Sequence, residues 1–143
     1  MPELESIARR LQALGHRATP ARLGVIAAVL AQGGHFSVDD ILRRTRNVGR
    51  ATVFRTMRLL TDLDIVCRVL MDDGSLHYRL SRRSRHHHHV VCVSCDNVRA
   101  LDDCAVGDSV PDLAAATGYD IEGHWLEFYG RCAECRSPVA ARA

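Results

Sequence analysis

The sequence predicts an α+β fold with two modules, an N-terminal winged helix-turn-helix domain and a small α/β domain that holds a structural zinc ion. Three observations predict it. Apolar residues recur with the helical period up to residue 62, the period then changes to two, and two Cys-x-x-Cys pairs follow. Charge divides in the same way, because residues 1–85 carry 15 Arg against 8 acidic residues, whereas residues 86–143 carry 4 against 9. This distribution favours two modules, the first facing a polyanion.

Four helices are predicted in the first module. They run over residues 3–14, from Pro20 to the glycines at 33 and 34, from Ser37 to about Arg44, and from about Arg50 to Asp62. Thr19 before Pro20 is a hydroxyl N-cap followed by proline at the first helical position. Ser37 and Asp40 resemble a capping box with Asp in place of Glu. Capping residues therefore predict where two of the helices begin.

Strands follow the helices. Residues 65–71 and 76–80 alternate with a period of two around the turn at residues 72–75, which predicts the wing. Beyond a polar segment at residues 81–88 we expect short strands near 90–91 and 98–101, a helix over about 104–117 and a longer strand over 119–129. The expected domains are 1–82 for the winged helix, 83–88 for a hinge, 89–137 for dimerisation and metal binding, and 138–143 for a disordered tail.

The two Cys pairs, Cys92 with Cys95 and Cys132 with Cys135, each follow a predicted strand. Four thiolates at about 2.3 Å form a closed tetrahedral zinc site. The second module is too short for a large core, so zinc would supply folding free energy. A closed site has no open position, and we expect neither catalysis nor a small-molecule substrate. The alternative, a Cys-x-x-Cys thiol oxidoreductase, predicts a thioredoxin-like pattern that is not evident.

An internal run of four histidines, His86 to His89, precedes the first Cys pair. Alternate side chains of a strand point to opposite faces, so His87 and His89 share one face while His86 and His88 share the other. One stretch therefore supplies two imidazoles to each of two metal sites. The alternative is a solvated polar linker.

The last helix of the first module opens on Arg50-Ala51-Thr52-Val53-Phe54-Arg55-Thr56. Its first turns carry two Arg, a Thr and an aromatic ring, which suit phosphates and base edges. The same pattern fits a helix that is simply solvated on one side. A zinc-stapled adaptor that binds protein is the competing interpretation, and the basic first module disfavours it.

In this order, these signals resemble the ferric uptake regulator family from about Leu11 to Cys135. The resemblance rests on Arg17-Ala18-Thr19-Pro20-x-Arg22, Ala51-Thr52-Val53-Phe54-Arg55, the His run into Cys92-x-x-Cys95, and His124-x-Leu126-Glu127-Phe128-Tyr129-Gly130-x-Cys132-x-x-Cys135. The family comprises homodimeric repressors that bind palindromic operators when loaded with a divalent metal. Its members sense iron, zinc, manganese, nickel or peroxide.

The resemblance implies a DNA-binding set in the first module. Arg17 matches a basic residue that reaches the minor groove, and Arg22 and Arg55 match arginines that contact phosphates. Phe54 stands where most members have Tyr, and its ring still packs on a thymine methyl. The whole expected set is Arg17, Arg22, Arg50, Thr52, Phe54 and Arg55.

The resemblance also implies a regulatory metal site, of which three ligands match His35, His87 and His89. The family's carboxylate in the second wing strand is replaced by Arg79, and a sulfur ligand of the zinc-uptake branch is replaced by Ser81. Cys67 sits where that branch places an Asp ligand. We expect His35, Cys67, His87 and His89 to bind Zn²⁺ in preference to Fe²⁺ or Mn²⁺. The alternatives are that Cys67 is a small buried hydrophobe and His35 a surface residue.

A third family site would use His86, His88 and His124 with an acid from the following helix. The aligned position is Gly107, so the neighbouring Asp108 is the expected acid. Cys104 is an odd thiol without a family role, which either substitutes as a ligand or packs.

Together these patterns predict a cytoplasmic, homodimeric, zinc-responsive repressor that binds a double-stranded DNA operator. No apolar run approaches the roughly 18 residues needed to span a bilayer, and the first residues lack the order of a signal peptide. The runner-up is an iron or peroxide sensor of the same family. Peroxide sensing would need iron held by nitrogen and oxygen ligands, which the thiol at position 67 and Arg79 disfavour.

Overall fold

The computed structural model describes residues 1–81 and 86–136, and the chain forms two compact units. The first unit is Met1–Leu70 with Ser75–Arg83, and the second is Met71–Gly74 with Ser84–Ala143. The mixed helix and sheet content confirms the predicted α+β class. The expected tail at 138–143 and hinge residues 83–85 lie outside the described residues. Within the described ranges, no helix has the length and apolarity needed to cross a membrane.

Four helices build the first unit: α1 Pro2–Ala13, α2 Pro20–Leu30, α3 Val38–Arg44 and α4 Arg50–Asp62. Two of them begin at the predicted caps. The hydroxyl of Thr19 accepts the backbone N–H of Arg22 at 3.3 Å. Ser37 and Asp40 form the reciprocal capping box, in which the Asp40 N–H reaches the Ser37 hydroxyl at 3.2 Å and the Ser37 N–H reaches the Asp40 carboxylate at 2.7 Å. Local polar contacts therefore set these helix starts.

Apolar side chains from these helices and from the first strand share one core. They are Ile7, Leu11, Val25, Ile26, Val29, Phe36, Ile41, Val53, Met57, Leu60 and Val66. On α4 the buried residues Val53, Met57 and Leu60 occupy one face, as the helical period predicts. Burial of that face leaves the start of α4 with its polar side chains directed outward.

The wing is a hairpin of β1, Val66–Leu70, and β2, Leu76–Leu80. The strands are antiparallel, with Cys67 opposite Arg79 and Val69 opposite His77. Gly74 has φ +84° in the connecting turn, a conformation that favours glycine. A further pair of backbone hydrogen bonds, 2.8 and 2.7 Å long, joins Phe36 to Tyr78 on β2. This bridge fixes the segment before α3 against the wing.

The second unit contains a three-stranded sheet in the order β4-β3-β5. The strands are β3 His88–Cys92, β4 Val98–Leu101 and β5 Glu127–Gly130, followed by a short α6, Ala133–Arg136. Strand β3 is antiparallel to β4 and parallel to β5, with His89 opposite Glu127 and Cys92 opposite Gly130. The central strand thus carries histidines at its start and a cysteine at its end.

Two expectations for the second unit are corrected. The helix expected over about 104–117 is α5, Val110–Thr117, preceded by a 3₁₀ turn at Gly107–Ser109. Proline in its first turn suits that later start. The strand expected over 119–129 is present only as β5. Strand β3 pairs with just the four residues of β5, and residues 119–126 pair with no strand.

Candidate metal centres and nucleic-acid interface

Four cysteines meet where β3 and β5 end. Cys92 is the last residue of β3, Cys95 lies in the following turn, and Cys132 and Cys135 follow β5. Parallel pairing of the two strands brings both ends to one edge. The four sulfur atoms all lie within 4.8 Å of one another, and those of Cys95 and Cys132 are 3.9 Å apart. A zinc ion with four bonds of about 2.3 Å needs sulfur separations of about 3.8 Å, so the cluster has the dimensions of a structural zinc site.

The electrostatics of this cluster fit a divalent cation. The backbone N–H of Cys132 approaches the Cys92 sulfur at 3.4 Å, and such donors lower the pKa of Cys92 to about 6. The neighbouring thiols raise the pKa of Cys135 to about 12. One thiolate therefore forms readily, whereas accumulating four negative charges at this spacing requires a cation.

The next donors are the four histidines, which divide between two faces as predicted. His87 and His89 share one face, with ring centroids 4.9 Å apart and perpendicular planes. His89 is buried, and its Nδ1 lies 3.3 Å from the carboxylate of Glu127, its partner across the strands. With Nδ1 protonated, that carboxylate holds the ring and leaves the lone pair at Nε2 available for a ligand. Glu127 belongs to the family motif, but the sequence reasoning gave it no role.

On the other face a compact group of four donors forms. It consists of His86, His88, Cys104 and His124, all with ligand atoms within 4.8 Å of one another. The parallel register explains the approach of His124. His89 pairs with Glu127, and His86 and His124 each lie three residues before one member of this pair. Burial, and then the neighbouring imidazoles, lower the pKa of His86, which favours its neutral, metal-binding form.

The fourth donor of this group differs from the expected one. Asp108 lies in the 3₁₀ turn and is not among the clustered residues. The thiol of Cys104 is there instead, 3.3 Å from Nε2 of both His88 and His124. Cys104 belongs to the loop between β4 and that turn, where no periodic pattern predicts the direction of a side chain. The thiol itself was the only signal available from the sequence.

The remaining predicted ligands divide between the units. His35 and Cys67 lie in the first unit, and His87 and His89 lie in the second, so the four-residue regulatory site stays a prediction. Cys67 is half-buried on β1, and its thiol lies 3.6 Å from the Arg79 carbonyl oxygen.

An additional imidazole accompanies His35. Nδ1 of His35 and Nδ1 of His77 are 2.7 Å apart, and the Phe36–Tyr78 bridge accounts for this approach. His77 was not singled out by the sequence reasoning. On β2 His77 lies two residues before Arg79, so the side chains of these two residues are on the same face of the strand.

The predicted DNA-binding residues lie at the starts of α2 and α4. On α4 the exposed ring of Phe54 lies under the Arg50 guanidinium, 5.3 Å from its central carbon, and Arg55 approaches the Thr52 hydroxyl at 3.4 Å. At the start of α2 the Arg22 guanidinium donates to the carbonyl oxygen of Arg17. Basic and aromatic groups therefore occupy exposed helix starts, an arrangement suited to phosphates and base edges.

Comparison with known proteins gives one consistent result. The model of the ferric uptake regulator family matches residues 13–129. The ferric uptake regulation protein of Bacillus subtilis is 28% identical, over 92% of this chain and 93% of its own length. The peroxide-responsive repressor PerR of Staphylococcus epidermidis is 28% identical over 94% and 91%. A solved structure of a zinc uptake regulator complexed with zinc and DNA has a TM-score of 0.74, with 25% identity and coverage of 94% and 93%.

Proposed function

Since the chain belongs to the ferric uptake regulator family of metal-responsive transcriptional regulators, we propose that the metal to which it responds is zinc. In this proposal a homodimer with zinc at its regulatory site binds a palindromic operator and represses transcription. What supports the choice of metal is the proposed donor set, a thiol with imidazoles and no carboxylate. The sequence relatives include iron and peroxide regulators, whereas a zinc uptake regulator complexed with zinc and DNA shares this fold.

The proposed regulatory ligands are His35, Cys67, His87 and His89. A thiolate with imidazoles in tetrahedral geometry favours Zn²⁺ over Fe²⁺ and Mn²⁺, which prefer more oxygen donors. Arg79, opposite Cys67 in the hairpin, supports this choice because a cation stands where the resemblance places the family's carboxylate. His77, beside His35, adds a further nitrogen donor to the first unit.

The proposed response follows from where these ligands lie in the chain. Two of them belong to the winged-helix unit and two to the start of the second unit. When bound, zinc would supply a link between ligands of both units and so restrict how the recognition helices of a dimer are spaced on two half-sites. Metal and operator would then strengthen each other's binding reciprocally.

The proposed DNA contacts are Arg17 and Arg22 at the start of α2, with Arg50, Thr52, Phe54 and Arg55 on α4. α4 begins without a side-chain cap, which leaves backbone N–H groups available for a phosphate. The packing of Arg50 on Phe54 holds a cation beside an apolar ring, a combination that suits guanine and thymine methyl edges.

Homodimerisation is proposed for the second unit. Its described part exposes large apolar side chains, and α5 has none that is buried. The exposed residues are Val93, Leu113, Tyr119, Trp125, Phe128 and Tyr129. Large exposed apolar side chains in a unit this small are typical of a surface that is covered in a stable assembly.

A metal titration of operator binding tests the choice of metal. The dimer, with its structural zinc retained, is titrated anaerobically with Zn²⁺, Fe²⁺ and Mn²⁺ while its affinity for a duplex selected from a random pool is followed. We expect zinc to activate binding at a concentration at least about tenfold below the other two ions. Arg55→Ala is the control, because losing a phosphate contact lowers affinity with all ions alike. Activation by iron at the lower concentration would overturn the proposal.

Glu127→Gln is expected to weaken zinc binding at the regulatory site without removing a ligand. The variant keeps the size of the side chain but loses the charge that orients His89 through Nδ1. Carboxylates in this role are worth roughly 10- to 100-fold in metal affinity. The measurement is a zinc competition titration, with the exposed Glu134→Gln as a matched control. Equal zinc affinities of Glu127→Gln and the wild type would remove Glu127 from the site.

A further inference from the structure

Two helices of the first unit bring an arginine, an acid and an aromatic ring together on the exposed surface at the start of α4. The Arg50 guanidinium lies 5.3 Å from the centre of the Phe54 ring and 3.7 Å from the carboxylate of Asp39, which belongs to the first turn of α3. We propose that these three residues read one guanine–cytosine pair of the operator and a thymine beside it. This assignment rests on the proposed function, because it requires that α4 enters the major groove.

Arg50 is held from two sides while its guanidinium stays accessible. It is the first residue of α4, and Phe54 follows four residues later on the same face of the helix. Stacking on the ring and the ion pair with Asp39 each favour one direction of a long side chain, of which 66% remains exposed. Because the side chain is already oriented, less rotational entropy is lost when Arg50 contacts a base.

Asp39 indicates that Arg50 meets a base rather than a phosphate. Its side chain is 67% exposed, and a carboxylate this close to the guanidinium repels a phosphate that approaches Arg50. A base edge carries no net charge and is not repelled. Arg55 differs, because the group beside its guanidinium is the uncharged hydroxyl of Thr52, at 3.4 Å, which is compatible with a phosphate contact.

The donors and acceptors of the ion pair match the major-groove edge of a guanine–cytosine pair. A guanidinium only donates hydrogen bonds, and a carboxylate only accepts them. Guanine presents two acceptors, N7 and O6, and the cytosine paired with it presents a donor at N4. Arg50 therefore suits the guanine and Asp39 suits the cytosine. An adenine–thymine pair is disfavoured, because the amino group of adenine is a donor where Arg50 requires an acceptor.

Phe54 extends the reading surface to a second base. Its exposed ring places an apolar surface directly beside the Arg50 guanidinium. Apolar side chains recognise thymine through its methyl group in the major groove. Because the ring and the guanidinium are stacked, the two bases that they contact are neighbours. Each half-site of the operator is therefore expected to contain a thymine next to a guanine.

A base analogue tests the assignment of Arg50. The full-length protein with Zn²⁺ is measured against a duplex selected from a random pool, in which each guanine is replaced in turn by 7-deazaguanine. This analogue lacks the N7 acceptor but still pairs with cytosine. At one guanine of each half-site we expect the wild type to lose at least about fivefold in affinity.

Arg50→Ala completes this test. We expect it to bind the unmodified duplex about 5- to 150-fold more weakly than the wild type and to be insensitive to the analogue at that guanine. Arg58→Ala, which removes an exposed arginine of the same helix, is the matched control and should keep the response to the analogue. An Arg50→Ala protein that responds to the analogue like the wild type would overturn the inference.

Salt dependence distinguishes a base contact from a phosphate contact. Loss of a phosphate contact reduces the slope of log affinity against log salt by about one, whereas loss of a base contact leaves the slope nearly unchanged. We expect Arg50→Ala to keep the wild-type slope and Arg55→Ala to reduce it. If Arg50→Ala weakens binding to all duplexes alike and reduces the slope, Arg50 contacts a phosphate and the inference is wrong.

Asp39→Ala is expected to change non-specific and specific binding in opposite directions. Removing its negative charge raises affinity for an unrelated duplex. Loss of the acceptor for cytosine lowers the preference for guanine–cytosine over adenine–thymine at the same position by about fivefold or more. Asp62→Ala, at the other end of α4, is the matched control. A purely structural role of Asp39 at the start of α3 would weaken binding to both duplexes alike, and that result would remove Asp39 from the reading surface.

The outcomes separate this inference from the proposed function. If another ion activates binding in place of zinc and Arg50→Ala still loses the response to 7-deazaguanine, the choice of metal is wrong and the reading surface stands. If zinc activates binding and the wild type tolerates 7-deazaguanine at every position, the metal response stands and the reading surface is overturned.

Discussion

Cys132→Ser is expected to abolish zinc retention in the second unit, to unfold that unit and to dissociate the dimer. Structural zinc contributes about 10–16 kcal/mol in small zinc-stabilised peptides, more than the free energy of unfolding of many whole domains. The sheet of this unit has little else to stabilise it, since Val91, Cys92 and Val98 are its buried apolar residues. Replacing one thiolate leaves three charged ligands without their fourth and lowers the metal affinity strongly.

The measurement combines zinc content per protomer, thermal unfolding followed by circular dichroism, and analytical ultracentrifugation. Cys95→Ser is expected to behave in the same way, because its sulfur lies 3.9 Å from that of Cys132. Cys67→Ser is the matched control, a thiol of the first unit that should leave assembly unchanged and also the structural zinc, counted after a chelator has removed the regulatory ion. A Cys132→Ser protein that retains its zinc and melts like the wild type would remove the structural role of the cluster.

The two cysteine pairs show why this part of the site was predictable. Each pair is local in sequence, and each follows a strand, so both metal-binding turns are visible without knowing the fold. Parallel pairing of β3 with β5 is the non-local step, and it brings two predicted halves together. The same holds for α2 and α3, whose starts depend on Thr19 and Ser37 within the first helical turn.

Other parts depend on contacts between distant segments and were left open or missed. Cys104 comes from an irregular loop, so the sequence left open whether it is a ligand or packs, and its approach to His88 is visible only in the fold. Glu127 became important only once the register set it opposite His89. The expected strand over 119–129 failed for a related reason, because alternation in a sequence predicts an extended segment but not the number of partner residues available to it.

Cys67→Ala is expected to remove the zinc dependence of operator binding while leaving the dimer and its structural zinc intact. The side chain is half-buried on β1 and small, so its truncation costs little packing. What it removes is the proposed sulfur ligand, and with it the preference for zinc. Allosteric coupling of 1–3 kcal/mol makes operator affinity about 5- to 150-fold higher with zinc than without it. In Cys67→Ala we expect the ratio of these two affinities to fall close to one.

The measurement is operator affinity by fluorescence anisotropy with and without zinc, at fixed salt because phosphate contacts dominate the salt dependence. Cys67→Asp separates loss of a ligand from loss of packing. A carboxylate restores a donor but not sulfur, so part of the metal response should return at higher zinc concentrations, whereas a packing defect would not be repaired by a charged group. Because linkage is reciprocal, operator DNA must also raise zinc affinity in the wild type and in Cys67→Asp, but not in Cys67→Ala. An unchanged zinc response in Cys67→Ala would show that the ligands controlling DNA binding lie elsewhere in the chain.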